Sequence, residues 1–288
     1  MSKSTFRPAS FALLLLAQWL CGGAGAADTL ARIKSAGEIR LGYYETSAPF
    51  SSVGADKSPQ GYSVELCQRI AAGIQRQLGG AQLKTTWVAL VAGDRVEAVR
   101  KGQVDIECGT TSWTFSRQQL VDFSLMTFVD GASLLVAADS GIRRMADTGG
   151  KRIAVIRDTT TDKALLAALT GNKVKAEVAR VDTREQGLAL LTEGRVDAFA
   201  SDRFLLMNGL ASVRSPRPLR LIDEDFSVEP YALALPRDDA GFRLAVNRAL
   251  AEVFRSGDIA DIYDRWLGKF GQPSLLLSAL FYLQQVPE

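Results

Sequence analysis

The sequence predicts an α/β fold made of two lobes, each built on a mostly parallel sheet flanked by helices. Strand-like and helix-like stretches alternate along almost the whole chain of 288 residues, a pattern typical of parallel sheets. One short segment also occurs twice, and two extended apolar runs flank its second copy. A chain of this length can bury two separate cores.

The N-terminal segment, residues 1–26, has the composition of a cleaved export signal. Two basic residues supply a positive start, Phe11–Leu20 is almost wholly apolar, and small residues end the segment at Ala26. The apolar stretch is too short to span a membrane. Lipid attachment at Cys21 is the alternative, but bulky residues precede this cysteine where small ones are expected. We therefore expect cleavage after Ala26 and a mature protein outside the cytoplasm.

Composition excludes several classes of function. The 34 basic residues fall to 32 once Lys3 and Arg7 of the leader are removed, which equals the 32 acidic residues. The sequence has no stripe of basic residues, which binding to a nucleic acid would need. The chain has no histidine, so it lacks the usual general base, the usual zinc ligand and the middle residue of a Ser-His-Asp triad. We therefore expect that the protein is not an enzyme and that it binds neither a metal ion nor a cofactor.

Two cysteines, Cys67 and Cys108, remain after the leader. In an oxidising compartment they can pair if their Cα atoms come within about 7 Å. The alternative is that both are small buried hydrophobic residues. The sequence leaves both possibilities open.

Apolar periodicity and glycine stops predict the individual elements. One helix is predicted with Ser63 as its N-cap and a stop at Gly79-Gly80, and a short helix runs from Asp94 to Gly102. The apolar tail Ser274–Val286 is expected to pack on the first lobe. The remaining predictions are helices over Ala240–Ser256 and Ile259–Leu267, and strands over Glu38–Tyr43, Gln82–Val88, Val104–Glu107, Lys151–Ile156, Ala176–Val181 and Val196–Ala200.

The repeated segment indicates two similar lobes. Lys101–Ile106 resembles Glu193–Ala198, and each copy ends a helix at glycine and starts a strand. Arg95 opens the helix before the first copy, and Arg184 opens the helix before the second. A cation at a helix N-terminus is electrostatically unfavourable. Two such placements at matching points therefore suggest a bound anion.

Two apolar runs, Ala132–Ala137 and Tyr231–Leu235, flank the second copy. We expect them to be paired crossover strands that join the lobes. The first lobe is then discontinuous, formed by residues 27–134 and 230–288, and residues 135–229 form the second lobe.

Polar residues follow the predicted strands in both lobes. Ligands of open α/β sheets bind beyond the carboxyl ends of the strands, so these residues are the candidate site. They include three arginines, one aspartate and hydroxyl-rich turns, which suit a zwitterion with an additional negative charge. The segments are Tyr44–Ser47, Val91–Arg95, Thr110–Ser112 with Arg117, Arg157–Thr161, Asp182–Arg184 and Ser201–Asp202.

An α-carboxylate is best held by the fork of an arginine, which donates two parallel hydrogen bonds. Arg117 is the candidate, helped by backbone N–H groups at Ser112 and Thr159, each close to a helix N-terminus. The alternative is that Arg117 is solvated and pairs with Asp122.

Candidate binding residues can also be named for the other two charged groups of such a ligand, its α-ammonium and its side-chain carboxylate. Asp202 is placed to accept from an α-ammonium, and its alternative role is to cap the helix that follows it. Arg95 and Arg184, one from each lobe, are the candidates for a side-chain carboxylate. Tyr44 follows the first strand, where an aromatic residue usually only packs.

An ordered set of motifs spans nearly all of the mature chain: Gly61-Tyr62-Ser63, Val104–Thr111, Val121–Ser124, Asp158-Thr159-Thr160, Gly194–Phe199 and Ile262–Trp266. Together these motifs resemble the periplasmic polar-amino-acid-binding proteins of ATP-binding-cassette transporters, and most of all their glutamate/aspartate-binding branch. The resemblance implies a two-lobed periplasmic-binding-protein fold that closes on its ligand by a hinge at the crossover strands. It also implies a monomer that delivers the ligand to a membrane permease.

The same resemblance assigns roles to individual residues. Arg117 matches the arginine of the α-carboxylate and Asp202 the aspartate of the ammonium group. Thr110, Ser112 and Thr159 match hydroxyl or backbone contacts to the ligand.

Arg95 matches an arginine that helps to hold the distal carboxylate, but two positions depart from the branch. Tyr44 stands where another arginine is expected, and Arg184 stands where histidine is expected. Ile156 also replaces a polar neighbour of the pocket. The charges of the candidate site still favour glutamate or aspartate. The choice between these two ligands stays open, and so does binding of glutamine or another polar ligand.

Two rival functions also stay open. One is a sensory module that reports the ligand to a membrane receptor. The other is a periplasmic dehydratase acting on prephenate or arogenate, although no additional acidic residue is clearly placed for proton transfer.

Overall fold

The computed structural model describes Met1, residues 28–80 and residues 82–287. The predicted export signal, apart from Met1, and its Cys21 alternative lie outside these described residues. Within them, no helix is long and apolar enough to cross a bilayer.

Strands and helices alternate through the described residues, as predicted. The strands are β1 (Glu38–Tyr43), β2 (Thr46–Ser47), β3 (Ser51–Val53), β4 (Pro59–Gln60), β5 (Lys84–Ala89), β6 (Ile106–Glu107), β7 (Asp122–Asp130), β8 (Ala132–Ala137), β9 (Arg152–Ile156), β10 (Glu177–Val181), β11 (Ala198–Asp202), β12 (Leu219–Leu221) and β13 (Glu229–Leu235). The α-helices are α1 (Thr29–Ala36), α2 (Tyr62–Gln77), α3 (Arg95–Arg100), α4 (Phe115–Gln118), α5 (Thr160–Gly171), α6 (Arg184–Thr192), α7 (Arg203–Ser212), α8 (Ala240–Ser256), α9 (Asp258–Leu267) and α10 (Leu275–Leu283).

Two five-stranded sheets form the centres of the two lobes. The first has the order β5-β1-β6-β13-β7 and the second the order β10-β9-β11-β8-β12. In the first sheet β1 is parallel to β5 and β6, while β13 is antiparallel to β6 and β7. In the second sheet β9 is parallel to β10 and β11, while β8 is antiparallel to β11 and β12. The predicted two-lobed α/β fold is confirmed.

The predicted pairing of the two crossover strands is wrong. The run Ala132–Ala137 is β8, which pairs with β11 and β12 of the second sheet. The run Tyr231–Leu235 belongs to β13, which pairs with β7 of the first sheet. The chain passes between the sheets at Gly131 and returns between Leu221 and Glu229. An apolar run shows that a strand is buried, but it does not specify its partner.

The helix predictions hold except at one cap. Helix α8 has the predicted limits, and α3 begins at Arg95 next to the predicted start. Helix α2, however, begins at Tyr62 after Gly61, and the Ser63 hydroxyl donates to the Gly109 carbonyl at 2.8 Å and caps no helix. Gly61 has φ +132°, and a Cβ there would lie 2.4 Å from the Phe50 carbonyl oxygen. The backbone geometry therefore requires glycine at this helix start.

Aromatic side chains fill the core of the first lobe next to the chain crossings. The ring centroids of Phe50 and Phe128 lie 5.0 Å apart, and those of Phe50 and Tyr231 lie 5.5 Å apart. The apolar tail packs on this lobe as predicted, because Phe281 of α10 is buried against Phe254 of α8.

A disulfide joins Cys67 of α2 to Cys108, which follows β6, with a Cα–Cα distance of 6.2 Å. Both cysteines are completely buried. Of the two possibilities left open by the sequence, the structure therefore has the covalent pair.

Replacing both Cys67 and Cys108 by alanine should lower the free energy of unfolding by about 3–4 kcal/mol, because the bond closes a loop across 41 residues of the unfolded chain. Denaturant unfolding of the wild type and the double variant measures the difference. Wild type unfolded in a thiol reductant serves as the control and should approach the variant. Equal midpoints for the oxidised wild type and the variant would contradict the prediction.

Candidate functional site

A cleft of about 680 Å³ is lined by residues of both lobes. All eight residues predicted from the sequence line it, including the proposed carboxylate and ammonium partners. They are Tyr44, Arg95, Thr110, Ser112, Arg117, Thr159, Arg184 and Asp202. Each lies in a segment that follows the carboxyl end of a strand or at the end of a strand itself, so the topology brings them to two sheet edges facing one cleft.

The half-buried Arg117 is held by its own loop. Helix α4 is capped by Thr114, and the Arg117 Nη1 donates to the Ser112 carbonyl oxygen at 2.8 Å. Burial, and next the charge of Arg95, lower the pKa of the Arg117 guanidinium. The alternative pairing with Asp122 does not occur among the described residues, where Asp122 instead forms its ion pair with Arg243 at 3.6 Å. Arg117 therefore presents a partly desolvated cation to the cleft.

Tyr44 occupies the position where the resemblance predicts an arginine, and its ring packs against another arginine, Arg95. The Arg95 guanidinium carbon lies 5.6 Å from the centroid of the Tyr44 ring, a cation–π contact. Arg95 Nη1 also donates to the Thr110 carbonyl oxygen at 3.5 Å. Tyr44 is only 5% exposed, and its burial, followed by the charge of Glu107, raises the pKa of its hydroxyl. Tyr44 thus orients a cation without adding one.

Glu107 is a buried carboxylate behind these two arginines that the sequence interpretation did not include. Its side chain is fully buried on β6, and neither carboxylate oxygen has a hydrogen-bond partner among the described residues. Burial raises the pKa of Glu107, and the charge of Arg95 is the largest effect that opposes the rise. A charged residue in the middle strand of a sheet was the available signal, because such positions are usually apolar.

The Asp202 carboxylate accepts its hydrogen bonds from hydroxyl groups and not from the backbone N–H groups of a helix. It occupies the N-cap position of α7, but its side chain accepts no hydrogen bond from that helix. The carboxylate accepts from Thr161 Oγ1 at 2.8 Å and from the Tyr231 hydroxyl. The alternative that Asp202 is only a helix cap is therefore wrong. Neutral donors hold the carboxylate and leave its negative charge uncompensated.

Two further carboxylates lie close to Asp202, and both were missed because they are distant in sequence. Asp130 accepts from the Gly131 N–H at 2.8 Å and from the Phe204 N–H at 3.2 Å. Glu229 accepts from the Ser112 hydroxyl at 2.6 Å. Burial, and next the charge of Asp202, raise the pKa of both Asp130 and Glu229. Three carboxyl groups are thus clustered where Asp202 borders the cleft.

Arg184 reaches from the second lobe to the first. It opens α6, and its Nη1 donates to the Thr46 carbonyl oxygen of β2 at 2.9 Å. Its Nε is buried and has no hydrogen-bond partner among the described residues. Burial lowers the pKa of Arg184, while the charge of Asp202 opposes the shift. A desolvated cation with an unused donor is suited to an anionic group in the cleft.

The hydroxyl groups of Ser112 and Thr159, two of those predicted at the site, already have partners in the fold. Thr159 caps α5, accepting from the Asp162 N–H at 3.1 Å and donating to the Ile156 carbonyl at 2.7 Å. The Ser112 oxygen lies 3.2 Å from Thr160 Oγ1, which links the two lobes directly. These side chains have used their hydrogens, so they can offer a ligand lone pairs or backbone N–H groups.

No group of three or more acidic, cysteine or histidine residues in the described part of the chain is arranged to hold a metal ion. The arrangement is instead one of separated charges. Arginines from both lobes and one aspartate face a common volume.

Most of the chain is similar to one known protein family. Residues 39–269 match the family of bacterial extracellular solute-binding proteins, family 3. The chain belongs to this family. The resemblance inferred from the motifs is confirmed.

The similar proteins of known name are binding proteins. The chain is 31% identical over 246 residues to the L-glutamate/L-aspartate-binding protein of Pseudomonas aeruginosa, covering 85% of this chain and 80% of that one. It is 27% identical over 241 residues to the glutamate/aspartate import solute-binding protein of Escherichia coli, covering 84% and 80% of the two chains. This family membership and these relatives favour a solute-binding protein over the dehydratase alternative.

A solved structure supports the fold. The cysteine-binding protein of Campylobacter jejuni superposes with a TM-score of 0.73 at 24% identity, covering 86% of this chain and 96% of that one. At this identity the likeness establishes the two-lobed architecture and leaves the ligand undetermined.

The Glu107→Gln variant should remove part of the pH dependence of stability. The raised pKa of Glu107 means that the folded protein binds its proton more tightly than the unfolded chain does. This contribution is complete below the usual glutamate pKa and is lost as the pH rises through the folded-state pKa. Denaturant unfolding across this range should therefore give a flatter profile for the variant. Parallel profiles would show that Glu107 is not perturbed.

Proposed function

We propose that this family member is the substrate-binding component of an amino-acid uptake transporter of the ATP-binding-cassette class, and that it binds glutamate or aspartate. The observation that carries the ligand class is the set of charges inside the cleft. Arg95, Arg117 and Arg184 are half-buried and Asp202 is buried. The other charged residues of the lining are exposed, namely Glu45, Arg157, Asp158, Asp182 and Glu185.

An acidic amino acid complements these charges group by group. Its α-carboxylate accepts from the Arg117 fork, which is oriented by the Ser112 carbonyl. Its α-ammonium donates to Asp202, whose charge no described arginine neutralises by a direct ion pair. The distal carboxylate accepts from Arg95 and Arg184. A ligand without a distal anionic group would leave the buried Nε of Arg184 without a partner, which is costly.

The ligand would contact both lobes at once. Arg117 and Arg95 belong to the first lobe, whereas Asp202 and Arg184 belong to the second, with the proposed boundaries at residues 134 and 230. A ligand that contacts both lobes stabilises the closed arrangement relative to an open one. Closure by a hinge at the two chain crossings then presents the loaded protein to a membrane permease.

The proposed location follows from the same function. A cleaved export signal over residues 1–26 would deliver a monomeric mature protein to the periplasm. The disulfide between Cys67 and Cys108 is consistent with an oxidising compartment.

A thermal-shift screen against the twenty standard amino acids tests the ligand class. A ligand that binds only the folded protein raises its melting temperature. Glutamate and aspartate should give the largest shifts. A largest shift with a basic or apolar amino acid would overturn the proposed specificity.

Arg117→Ala should weaken binding of every amino acid ligand by about 2–5 kcal/mol, because a desolvated carboxylate loses its partner. Isothermal titration calorimetry with glutamate measures the loss. Arg214→Ala is the matched control, since Arg214 is exposed on the second lobe. Unchanged affinity in the Arg117 variant would rule out its assignment to the α-carboxylate.

Arg184→Gln should show whether Arg184 recognises the negative charge of the ligand side chain or only its shape. Glutamate should lose at least about 2 kcal/mol of binding free energy, whereas glutamine, which lacks the distal charge, should lose much less. Titration of the variant and the wild type with both ligands gives the two differences. Equal losses for glutamate and glutamine would mean that Arg184 acts only through its contact with the Thr46 carbonyl.

A further inference from the structure

Glu229 lies behind the cleft wall at the point where the chain re-enters the first sheet. It is the first residue of β13 and is 2% exposed. One carboxylate oxygen accepts from Ser112 at 2.6 Å and the other from the Ser227 hydroxyl at 2.8 Å. Among the described residues it forms no salt bridge within 4 Å. Glu229 is thus a buried carboxyl group held by neutral donors.

The bond from Ser112 sets the direction of a hydroxyl group that lines the cleft. A serine hydroxyl has one hydrogen, and an ionised carboxylate can only accept it. With this hydrogen given to Glu229, Ser112 can only accept in its 3.2 Å contact with Thr160. Its remaining lone pair is then available to the cleft. Ser112 therefore becomes a hydrogen-bond acceptor, which suits an ammonium group and repels a carboxylate.

Glu229 also adds negative charge beside Asp202. The groups that face it are Ser112, Ser227, Thr160, Asp202 and Arg117. Asp130 completes the cluster through the Tyr231 hydroxyl, which donates to Asp202 and lies 3.4 Å from Asp130. Like charges in a buried region repel one another, so a cation placed at Asp202 relieves part of this repulsion.

We propose that Glu229 is a positioning residue of the ammonium subsite, which turns the Ser112 hydroxyl into an acceptor and supplies a second carboxylate charge behind Asp202. The proposal rests on the proposed amino-acid-binding function. Glu229 does not contact the ligand itself.

Proton release on binding is the measurable consequence. Burial and the Asp202 charge raise the pKa of Glu229 in the free protein, and a bound ammonium lowers it again. At a pH between these two pKa values, the carboxyl group therefore gives up its proton when the ligand binds and is ionised in the complex. Affinity should rise with pH through the window between the ligand-bound and ligand-free pKa values.

Calorimetry of the mature protein in two buffers with different ionisation enthalpies counts the protons released by glutamate. Measured from about pH 5 to 8, wild type should release a fraction of one proton. Glu229→Gln should release less, lose its pH dependence, and bind about tenfold more weakly because a charged hydrogen-bonding partner is gone. Asp223→Asn is the matched control, because Asp223 is an exposed carboxylate on the same return segment. It should behave as wild type.

Ser112→Ala gives a second, independent test. Glu229 then keeps its carboxyl group but loses the hydrogen bond that lowers its pKa, so proton release should move to higher pH. Proton counts in Glu229→Gln and Ser112→Ala that equal the wild-type count would overturn the proposal. So would an equal shift in the Asp223→Asn control.

Different results would contradict the proposed ligand specificity and the proposed positioning role of Glu229. If glutamate and aspartate do not bind, the proposed specificity is wrong. The proton count is then made with whichever amino acid stabilises the protein, since every amino acid presents the same α-ammonium. If none binds, both proposals are overturned.

Discussion

The cleft depends on keeping a buried negative charge apart from buried positive ones. Asp202 receives its hydrogen bonds from the hydroxyls of Thr161 and Tyr231, and these neutral donors satisfy the carboxylate without cancelling its charge. A direct bond to an arginine would instead satisfy both groups and leave nothing for a ligand to bind. The lobes make the separation possible, because Arg117 is fixed by a loop of the first lobe while Asp202 ends a strand of the second.

Strand β13 connects this charge pattern to the rest of the fold. It is part of the first sheet, yet its first residues lie where the chain has just left the second sheet. Glu229 and Tyr231 are two positions apart, so their side chains leave the same face of the strand. One contacts Ser112 of the first lobe and the other contacts Asp202 of the second. A single short segment thereby orients polar groups on both sides of the cleft.

The cationic side is arranged differently from the pattern expected of the glutamate/aspartate branch. Tyr44 supplies an aromatic face to Arg95 and no positive charge of its own. Arg184 supplies a cation from the opposite lobe and already bonds to the first lobe at the Thr46 carbonyl. Positive charge is thus moved from one lobe to the interface between them. A ligand carboxylate at this place would strengthen closure as well as binding, because its partner bridges both lobes.

The sequence by itself determined the α/β class, the approximate positions of many helices and strands, and eight of the residues that line the cleft. Apolar periodicity, glycine stops and the polar ends of strands are local patterns, and the topology of parallel sheets brings such ends to one edge. Only the tertiary structure decided the partners of β8 and β13, the pairing of Cys67 with Cys108, and the roles of Glu107, Asp130 and Glu229 around the site. These depend on contacts between residues far apart in the chain, and an isolated acidic residue in an apolar strand does not reveal which hydroxyl or arginine it will face.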